Sequence, residues 1–430
     1  MAHSARLKYG GCTRLHLTPE PLAMPRSRLT FLGLAIVGLF VAQLALQGSR
    51  AQSTSTHSLP GAQAEILAAH YPSVQAAIDA LPATGGVVRL PAGRFEITKP
   101  LLITKEDVLL VGQGTATHIV NTNREGASAL VVKPAAYPED RKVRIWRVKI
   151  ADLRITGNEQ SGHGIDAQAV NEIFIDGVTV SYHGQDGIRL DQCYEDPRVC
   201  DSLITYNKAT GLQLIGCHDI VVAGNQFEEN LDALHCFDGF NLCMTGNCVD
   251  DHLQHGVVIE NTYGSVLSGN MIEECKGVGV ILDRDCYGIT ISANVIAHEF
   301  SGGVELRDAH GCTVTGNSFP IVWKNALVVG PGCGHNTIVG NTFSDTYVGD
   351  GKSIRPRDKE TASGITLRGA HDTNISSNTF TGLHTKALTI EGEPSRRIVF
   401  SNNVMLDVES DDKQLVDSQV MGNVVSRSEK

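Results

Sequence analysis

The pattern of apolar and polar residues repeats at a nearly constant interval over residues 200–345. Each repeat has a β-branched run, a Gly-Asn or Ala-Asn step, an apolar residue two positions later and, further on, a small residue with another apolar stretch. Three short apolar stretches without a helical period predict three short β-strands per repeat. Successive Asn residues of the step lie 22 to 24 positions apart: Asn225, Asn247, Asn270, Asn294, Asn317 and Asn341.

A repeat of roughly 20 to 30 residues with three strands predicts a parallel β-helix, because each coil can bury its apolar residues only by stacking on its neighbours. The coils then lie about 4.8 Å apart along the axis. An Asn tolerates the left-handed backbone of a tight turn, and its amide can bond the Asn of the next coil. We therefore interpret the Asn residues as structural and expect them to form one ladder along an edge.

The repeat continues to the end of the chain and predicts a single domain over residues 70–425. Further coils follow at Asn378, Asn403 and Asn423. The step before Asn378 is 37 residues long, which predicts an inserted polar loop over residues 344–363.

The segments on either side of the repeat are expected to be short. Residues 52–69 should form a linker and residues 426–430 a tail. Ser73 is a good N-cap for a short amphipathic helix, which would cover the open edge of the first coil.

The chain begins with a predicted export signal within residues 1–51. Two arginines precede an apolar run over residues 29–46, and a small-residue stretch ends at Ala51, where cleavage is expected. Met24 would be the natural start of such a signal. These features predict a secreted or periplasmic protein with no stable membrane span after cleavage; an uncleaved membrane anchor is the alternative.

Charge and cysteine content narrow the choice of partner and compartment. The formal net charge is −11 and the pI is near 5.8, which argues against nucleic acid as a partner because phosphate binding needs a basic field. Ten of the eleven cysteines follow the predicted cleavage site. Cys193 and Cys217 are the pair best placed for a disulfide, whereas buried free thiols are the alternative for most of the ten.

Two stretches near the start of the repeat resemble a known family. Residues 71–78 (YPSVQAAI) and 85–95 (GGVVRLPAGRF) are similar to the start of the pectate-lyase-like β-helix superfamily. With the Gly-Asn coils, the resemblance covers residues 70–425. It implies an all-β fold, a right-handed parallel β-helix with three-strand coils of about 23 residues and a short N-terminal capping helix. It does not select a reaction, since the superfamily holds lyases, epimerases, hydrolases and non-catalytic proteins.

Polar residues alternate with apolar ones in the third strand of each coil. Because side chains of a strand alternate between its two faces, these polar residues should point outward from one sheet. Three columns are predicted on that face: Arg189, Gln213, His235 and Glu305; then His163, Asp186, Thr210, Asp232 and His255; then Glu260, Arg284, Arg307 and Arg368.

The densest part of this face combines Asp232, His235, His255 and Glu260, which we predict as the catalytic residues. Asp232 and His255 are 23 residues apart, one coil, and should lie close together. A histidine between carboxylates can act as a base or an acid near neutral pH. The alternative is that these groups only make the surface soluble.

The same region resembles a second family. Asp232-Ala233-Leu234-His235, followed by His255-Gly256-Val257 and Leu282-Asp283-Arg284, is similar to the active-site region of the mannuronan C5-epimerases and related alginate lyases. The resemblance implies a polysaccharide substrate and a lyase or C5-epimerase reaction on uronate residues.

A lyase or epimerase must remove the proton beside a uronate carboxylate, so it needs a base, a proton donor and cations for the carboxylate. His235 or His255 could be base and donor. Arg284 and Arg307 could bind successive carboxylates from adjacent coils, and calcium is a candidate cofactor for the same task.

Two other functions stay open. An inverting glycoside hydrolase of the polygalacturonase type needs two separated carboxyl groups, which Asp186, Asp232 and Glu260 could supply. The third alternative is a non-catalytic carbohydrate-binding or surface scaffold protein, in which the charges of this face are incidental. For an enzyme, Asp186 and Arg189 are predicted to contact the substrate together with Arg284 and Arg307.

Overall fold

The computed structural model describes residues 59–298, 301–322, 324–344 and 362–427, which form a three-sided parallel β-helix. Three parallel sheets of 15, 14 and 12 strands, here called sheets A, B and C, run along the described part of the chain. Neighbouring strands of a sheet come from successive coils, and each regular coil adds one strand to each sheet. The predicted all-β fold with three strands per coil is therefore confirmed.

Sheet A consists of Ala64–Leu67, Gly86–Arg89, Val108–Val111, Ile145–Ala151, Val170–Asp176, Arg198–Cys200, Val221–Ala223, Cys243–Thr245, Val266–Ser268, Thr290–Ser292, Thr313–Thr315, Thr337–Val339, His371–Ser376, Arg396–Ser401 and Gln419–Met421. Sheet B consists of Gly93–Ile97, Thr117–Asn121, Arg154–Thr156, Thr179–Ser181, Leu203–Thr205, Gln226–Glu228, Cys248–Asp250, Met271–Glu273, Val295–Ala297, Ser318–Pro320, Thr342–Ser344, Thr379–Thr381, Val404–Leu406 and Val424–Ser426. Sheet C consists of Leu101–Ile103, Leu130–Val132, Ile165–Gln168, Ile188–Asp191, Leu212–Ile215, Leu234–Phe237, Val257–Glu260, Val278–Asp283, Gly302–Leu306, Leu327–Val329, Ile365–Leu367 and Leu388–Ile390. A small pair of strands, Cys286–Tyr287 and Ala309–His310, lies beside sheet A, and the 3-10 turns are Ala68–His70 and Asp412–Gln414.

The short helix Val74–Asp79 covers the first strand of sheet C, as predicted. Ser73 caps it, since the Ala76 N–H donates to Ser73 Oγ at 3.1 Å. Gln75 completes the unpaired edge of the strand: its Oε1 accepts from the Leu102 N–H at 2.8 Å and its Nε2 donates to the Leu102 carbonyl at 3.2 Å. The helix therefore satisfies backbone groups that would otherwise form an exposed sheet edge.

The β-helix begins earlier than the sequence indicated. The strand Ala64–Leu67 pairs with Gly86–Arg89, although residues 52–69 were expected to form a linker. The alternation of partly buried and exposed residues in this strand is too short to stand out from a linker without its partner.

The Asn ladder is the most regular feature of the fold. In every pair the Nδ2 of one Asn donates to the Oδ1 of the next at 2.9–3.1 Å. The same Oδ1 atoms also accept backbone N–H groups, as when the Asn270 N–H donates to Asn294 Oδ1 at 2.9 Å. The pairing bridges the insertion before Asn378, because Asn341 Nδ2 donates to Asn378 Oδ1 at 3.0 Å. The ladder confirms the structural role predicted for these residues.

The interior is filled by apolar side chains in similar columns. The apolar residue two positions after the Asn points inward, and Phe319, Phe343 and Phe380 stack at centroid distances of 4.7 and 4.9 Å.

All ten described cysteines are free thiols, including Cys193 and Cys217, the pair predicted as best placed for a disulfide. Cys217 Sγ donates to the Leu190 carbonyl at 3.4 Å, so a buried thiol serves as a small polar filler.

A second buried polar column, which the sequence analysis missed, follows the turn from sheet B to sheet C. The His183 N–H donates to Asn207 Oδ1 at 3.1 Å, and the Asn207 N–H donates to Asn230 Oδ1 at 3.0 Å. One coil further, His252 Nδ1 lies 3.3 Å from the Asn230 carbonyl oxygen. Burial lowers the pKa of His183 to about 3 and that of His252 to about 4.

The predicted signal sequence, its cleavage after Ala51 and residues 345–361 of the predicted loop lie outside the described residues. Within the described ranges, no helix has the length and hydrophobicity needed to span a membrane.

Replacing Asn294 by Ala should lower the free energy of unfolding by roughly 2 to 4 kcal/mol. Asn294 Oδ1 accepts two bonds from Asn270, and its Nδ2 donates to the Leu267 carbonyl and to Asn317. Chemical denaturation measures the loss. Asn374→Ala, on the outer side of a sheet A strand, is the control and should change stability by less than about 0.5 kcal/mol; equal losses would contradict the ladder's role.

Stability should fall as the pH drops from about 6.5 towards 4, because the unfolded chain then protonates histidines that the fold keeps neutral. Because the fold lowers the pKa of both His183 and His252, the stability associated with their neutral rings is fully present above pH 6.5. His183→Asn should reduce the stability difference between pH 7 and pH 4.5 by up to about 2 kcal/mol, since the next two coils already carry Asn there. His70→Asn, at an exposed site, should leave that difference unchanged; an unaltered pH dependence in His183→Asn would refute the assignment.

Candidate functional site

The outer face of sheet C carries the charged groups that the sequence placed there. The strand register confirms that Arg189, Gln213 and His235 lie on consecutive coils in one column. Between His235 and Glu305 the same column holds two apolar residues, Val258 and Ile281. The charged face is therefore continuous up to His235 and interrupted after it.

A chain of hydrogen bonds crosses the centre of this face. His235 Nδ1 lies 3.2 Å from Gln213 Oε1, and His235 Nε2 lies 2.9 Å from Glu260 Oε2. The other oxygen, Glu260 Oε1, is 3.1 Å from Arg284 Nε. Both ring nitrogens of His235 thus face oxygen atoms, which fixes the plane of the ring. His235 points outward because its neighbours Leu234 and Cys236 are buried.

The column with Asp232 and His255 has a structural task that the sequence analysis did not foresee. Four of its polar side chains, those of His163, Asp186, Asp232 and His255, accept the backbone N–H of the residue one coil later. The bonds are Asp186 N–H to His163 Nδ1 at 3.2 Å, Thr210 N–H to Asp186 Oδ1 at 3.0 Å, His255 N–H to Asp232 Oδ1 at 2.7 Å, and Val278 N–H to His255 Nδ1 at 3.0 Å.

This task restricts what His255 can do. Because Nδ1 accepts the Val278 N–H, the neutral ring carries its proton on Nε2. Burial lowers the pKa of His255, which favours that neutral form. His255 is therefore an N–H donor, and the predicted role of base does not fit its tautomer.

Asp232 lies between the two histidines of the cluster. Burial raises the pKa of its carboxyl group, and this effect exceeds the opposing influence of the His255 N–H bond and of the two histidine rings. Asp232 forms no ion pair with an Arg, Lys or His side chain of the described residues. In this it differs from Glu260 and Glu305, the other acidic residues near the centre of the face.

The predicted substrate-binding residues are paired with groups of the protein. Arg189 contacts Asp166 at 3.1 Å and Asp191 at 2.6 Å. Arg307 contacts Glu305 at 2.7 Å and approaches Asp283 at 3.9 Å. Asp186 Oδ2 lies 3.1 Å from His163 Nδ1. Each would have to exchange a partner in order to bind a ligand.

The predicted alignment of Arg284 with Arg307 is wrong. Leu282 pairs with Leu306, which places Arg307 opposite Asp283 and moves Arg284 one position further along. The turn after Asp283 contains an extra residue, and Arg284 and Asp285 both take left-handed backbone there, with φ of 55° and 60°. The two guanidinium groups are thus not one above the other.

The four predicted catalytic residues lie on one face within two coils, as expected. Asp186 and Arg189 lie two coils before them and Arg307 lies two coils after them. The whole face, from His163 to Arg307, extends over roughly 30 Å along the axis. Sequence reasoning missed Asp166 as the partner of Arg189, although Asp166 has the same outward position in the preceding coil.

Among the described residues, clustered carboxylate oxygens suited to a cation occur at Asp250, Asp251 and Glu274. They lie at the end of sheet B strands and in the turns that follow, away from the central chain of bonds on sheet C. Burial and the neighbouring carboxylates, first Asp251, raise the pKa of Asp250 to about 6. Calcium as a cofactor stays a prediction.

Comparison with known proteins identifies the architecture. A family model described as "Right handed beta helix region" matches residues 112–262, 201–343 and 284–428. The A-module of mannuronan C-5 epimerase AlgE6 from Azotobacter vinelandii is a similar solved structure, with 17% identity, TM-score 0.51, and coverage of 83% of this chain and 95% of that one. DFA-IIIase from Arthrobacter chlorophenolicus A6 is 14% identical, with TM-score 0.51 and coverage of 83% and 98%.

The Agl-KA catalytic domain is a third similar structure, with 15% identity, TM-score 0.52 and coverage of 86% of this chain and 70% of that one. No curated protein sequence matches the chain. At such identities the likeness establishes the shared fold.

Asp250→Asn should raise the melting temperature at pH 7.5 by about 1 to 3 °C and leave it nearly unchanged at pH 4. The pKa of Asp250 is higher in the folded chain than in the unfolded chain. The stabilisation that this group contributes is therefore present below the unfolded pKa of about 4 and is lost as the pH rises through 6. Differential scanning calorimetry at both pH values tests this. Asp196→Asn, at an exposed turn, is the control, and an equal gain in both variants would show that local repulsion around Asp250 is not the cause.

Proposed function

We propose that this chain, which belongs to the right-handed β-helix family, is an extracytoplasmic enzyme that acts on a uronate-containing polysaccharide as a lyase or C5-epimerase. The observation that supports this proposal is the polar cluster on sheet C. In it Asp232, whose pKa is raised by burial, lies beside His255 and beside the hydrogen-bonded pair of His235 and Glu260. The extracytoplasmic location rests on the predicted signal sequence.

The shape of the face suits an extended polymer. Its columns repeat at the coil spacing of about 4.8 Å, close to the rise of one sugar in an extended chain. A polysaccharide lying along the axis would place roughly one sugar over each coil. Residues up to two coils from the centre, including Arg189 and Arg307, would then contact neighbouring sugars.

The proton chemistry follows from the different constraints on the two histidines. His235, whose Nε2 is bonded to Glu260, takes the proton from the carbon beside the uronate carboxylate. It accepts that proton at Nδ1, after Gln213 gives up its contact with this nitrogen. His255 donates its Nε2–H to the carboxylate while charge develops there, as a neutral imidazole can. Asp232, the carboxyl group at the centre of the cluster, is the proposed proton donor to the sugar carbon in an epimerase or to the leaving oxygen in a lyase.

Arginines at the edge of the cluster would neutralise the substrate carboxylate. The side chains of Arg284 and Arg307 are 64% and 43% exposed, so their heads can exchange a protein carboxylate for a substrate one. Such an exchange costs less than the removal of a buried ion pair because both side chains remain in contact with water.

An inverting hydrolase is less well supported by the same contacts. That mechanism needs one carboxylic acid and one free carboxylate on opposite sides of the scissile bond. On the described part of this face Glu260 and Glu305 are each bonded to an Arg or His side chain. Asp186 lies two coils from Asp232, about 10 Å along the axis, which is the upper limit of the separation in such pairs.

The experiment is incubation of the chain without its predicted signal in D₂O with a panel of polyuronates and neutral glycans. Ultraviolet absorbance detects unsaturated uronate, NMR detects deuterium at C5, and a reducing-end assay detects cleavage. We expect one of two results. Deuterium at C5 without new absorbance indicates an epimerase, whereas new absorbance with new reducing ends and no deuterium at C5 indicates a lyase, because elimination leaves C5 without a hydrogen. New reducing ends without either signal would select the hydrolase, and no signal at all would select a binding protein.

Asp232→Asn and His235→Gln should each lower kcat by a factor of about 10² to 10⁴ with little change in melting temperature. Asn keeps an oxygen that can accept the His255 N–H, and the neighbouring coil already carries Gln213 opposite His235, so the fold accepts both replacements. A loss of activity that follows the loss of stability would contradict the catalytic assignment.

His163→Gln and His255→Gln form a matched pair for the remaining histidine. Both remove a ring that accepts the backbone N–H of the next coil, at 3.2 and 3.0 Å, so similar losses of stability are expected. Only His255 adjoins Asp232. If the two variants changed kcat equally, His255 would have only its structural role and no role in catalysis.

A further inference from the structure

A row of aromatic side chains follows the turn from sheet C to sheet A, beside the charged face but separate from it. Five rings stack one per coil, with centroid distances of 4.5, 4.5, 4.5 and 5.1 Å: Tyr194, His218, Phe240, Tyr263 and Tyr287. Backbone bridges link four of them from coil to coil. The proposed reaction uses none of these residues.

The local chain path explains the position of the row. After each sheet C strand comes a residue with left-handed backbone, then a buried residue, and then the ring. Gln192, Gly216, Asp238 and Asn261 take the left-handed position, with φ of 55°, 58°, 54° and 44°. A column of mostly polar turn residues therefore runs parallel to the column of rings.

The two columns line an open groove of about 470 Å³. It extends across five coils, about 19 Å along the axis. Amide and carboxylate groups of Gln192, Asp238, Asn261 and Asp285 line it together with the rings, and no Lys or Arg is among its lining residues. The groove is thus aromatic on one side, polar on the other and locally acidic.

Stabilisation of the coils alone does not account for this row. In the core, Phe319, Phe343 and Phe380 form a stack of fully buried rings. The surface rings remain partly exposed, up to 51% for Tyr287, and Phe240 is turned by 84° relative to Tyr263 instead of stacking flat. Edge-to-face contacts of this kind stabilise a row, but the row also keeps aromatic surface open to a ligand.

We infer that this groove binds a neutral oligosaccharide, in addition to any glycan on the charged face. Sugar rings combine apolar C–H faces with hydroxyl groups, and the groove offers aromatic surface beside hydrogen-bonding amides and carboxylates. Asp238 and Asp285 would repel the carboxylates of a polyuronate. The Arg144 guanidinium lies over the Tyr194 ring, 5.0 Å from its centroid, at one end of the row. The inference goes beyond the proposed reaction and does not depend on it.

The length of the groove gives a measurable consequence. Because five rings lie at the coil spacing, an oligosaccharide gains contacts with each added sugar until it covers the row. Affinity should therefore rise from disaccharide to pentasaccharide and change little for longer chains.

Titration calorimetry and saturation-transfer NMR with the full chain test the assignment. The probes are cello-, manno- and maltohexaose and an oligomannuronate hexamer. We expect at least one neutral hexasaccharide to bind in the groove and to bind more tightly there than the oligomannuronate. No binding of any neutral hexamer, or a preference for the oligomannuronate that Gly216→Gln removes, would overturn the inference.

Variants at Gly216 separate the groove from the scaffold. Gly216 occupies the position in its coil that Gln192 occupies in the preceding coil, so Gly216→Gln repeats that side chain one coil further. A Cβ at position 216 meets only the flexible end of the Gln192 side chain. It should weaken binding at least tenfold by filling the groove. Gly216→Ala carries the same backbone strain without the bulk and should bind like the unchanged chain; equal affinities of both variants would exclude the groove.

Tyr206→Leu controls for the loss of a surface ring elsewhere. Tyr182 and Tyr206 stack at 5.1 Å on the opposite turn, and Tyr206 does not line the groove. It should leave binding unchanged, whereas Phe240→Leu should weaken it. The absorbance and C5-deuterium assays on polyuronates should be unaffected by Gly216→Gln, so failure of the groove and failure of the proposed reaction are distinguishable.

Discussion

The register between successive coils is the constraint on which the rest of the molecule depends. Side chains of a strand alternate between core and solvent, so a slip of one residue would turn every outward group of that strand inward. The Asn ladder prevents such a slip because each Asn bonds both the backbone and the side chain of its neighbour, as Asn294 does with Asn270 and Asn317. The polar cluster on sheet C is assembled from different coils, so its geometry is only as precise as this register.

The sequence was sufficient for the fold because the fold is periodic. The Gly-Asn steps predicted the ladder, and alternation placed Arg189, Gln213 and His235 on one face. Periodicity also caused the main error. Constant spacing aligned Arg284 with Arg307, whereas one extra left-handed residue in the turn shifts the strand by one position.

Other features of the site could not be obtained from spacing. The tautomer of His255 is set by the Val278 N–H, a contact between coils that leaves no pattern in the sequence. The aromatic row did leave one, since His218, Phe240, Tyr263 and Tyr287 each come seven residues before an Asn of the ladder. Exposed rings in a fixed phase with a structural ladder are thus a signal for groove residues in such proteins.

The bond between Asn341 and Asn378 shows where this architecture accepts change. The two residues are 37 positions apart, yet their side chains meet at the same 3.0 Å as neighbours separated by an ordinary coil. A turn can therefore gain a whole segment while the strands on either side keep their partners, whereas a single residue added within a strand would disturb its whole coil. Variation in length is confined to the corners, so a protein of this kind can acquire new surface contacts at a corner while its core and its ladder stay the same.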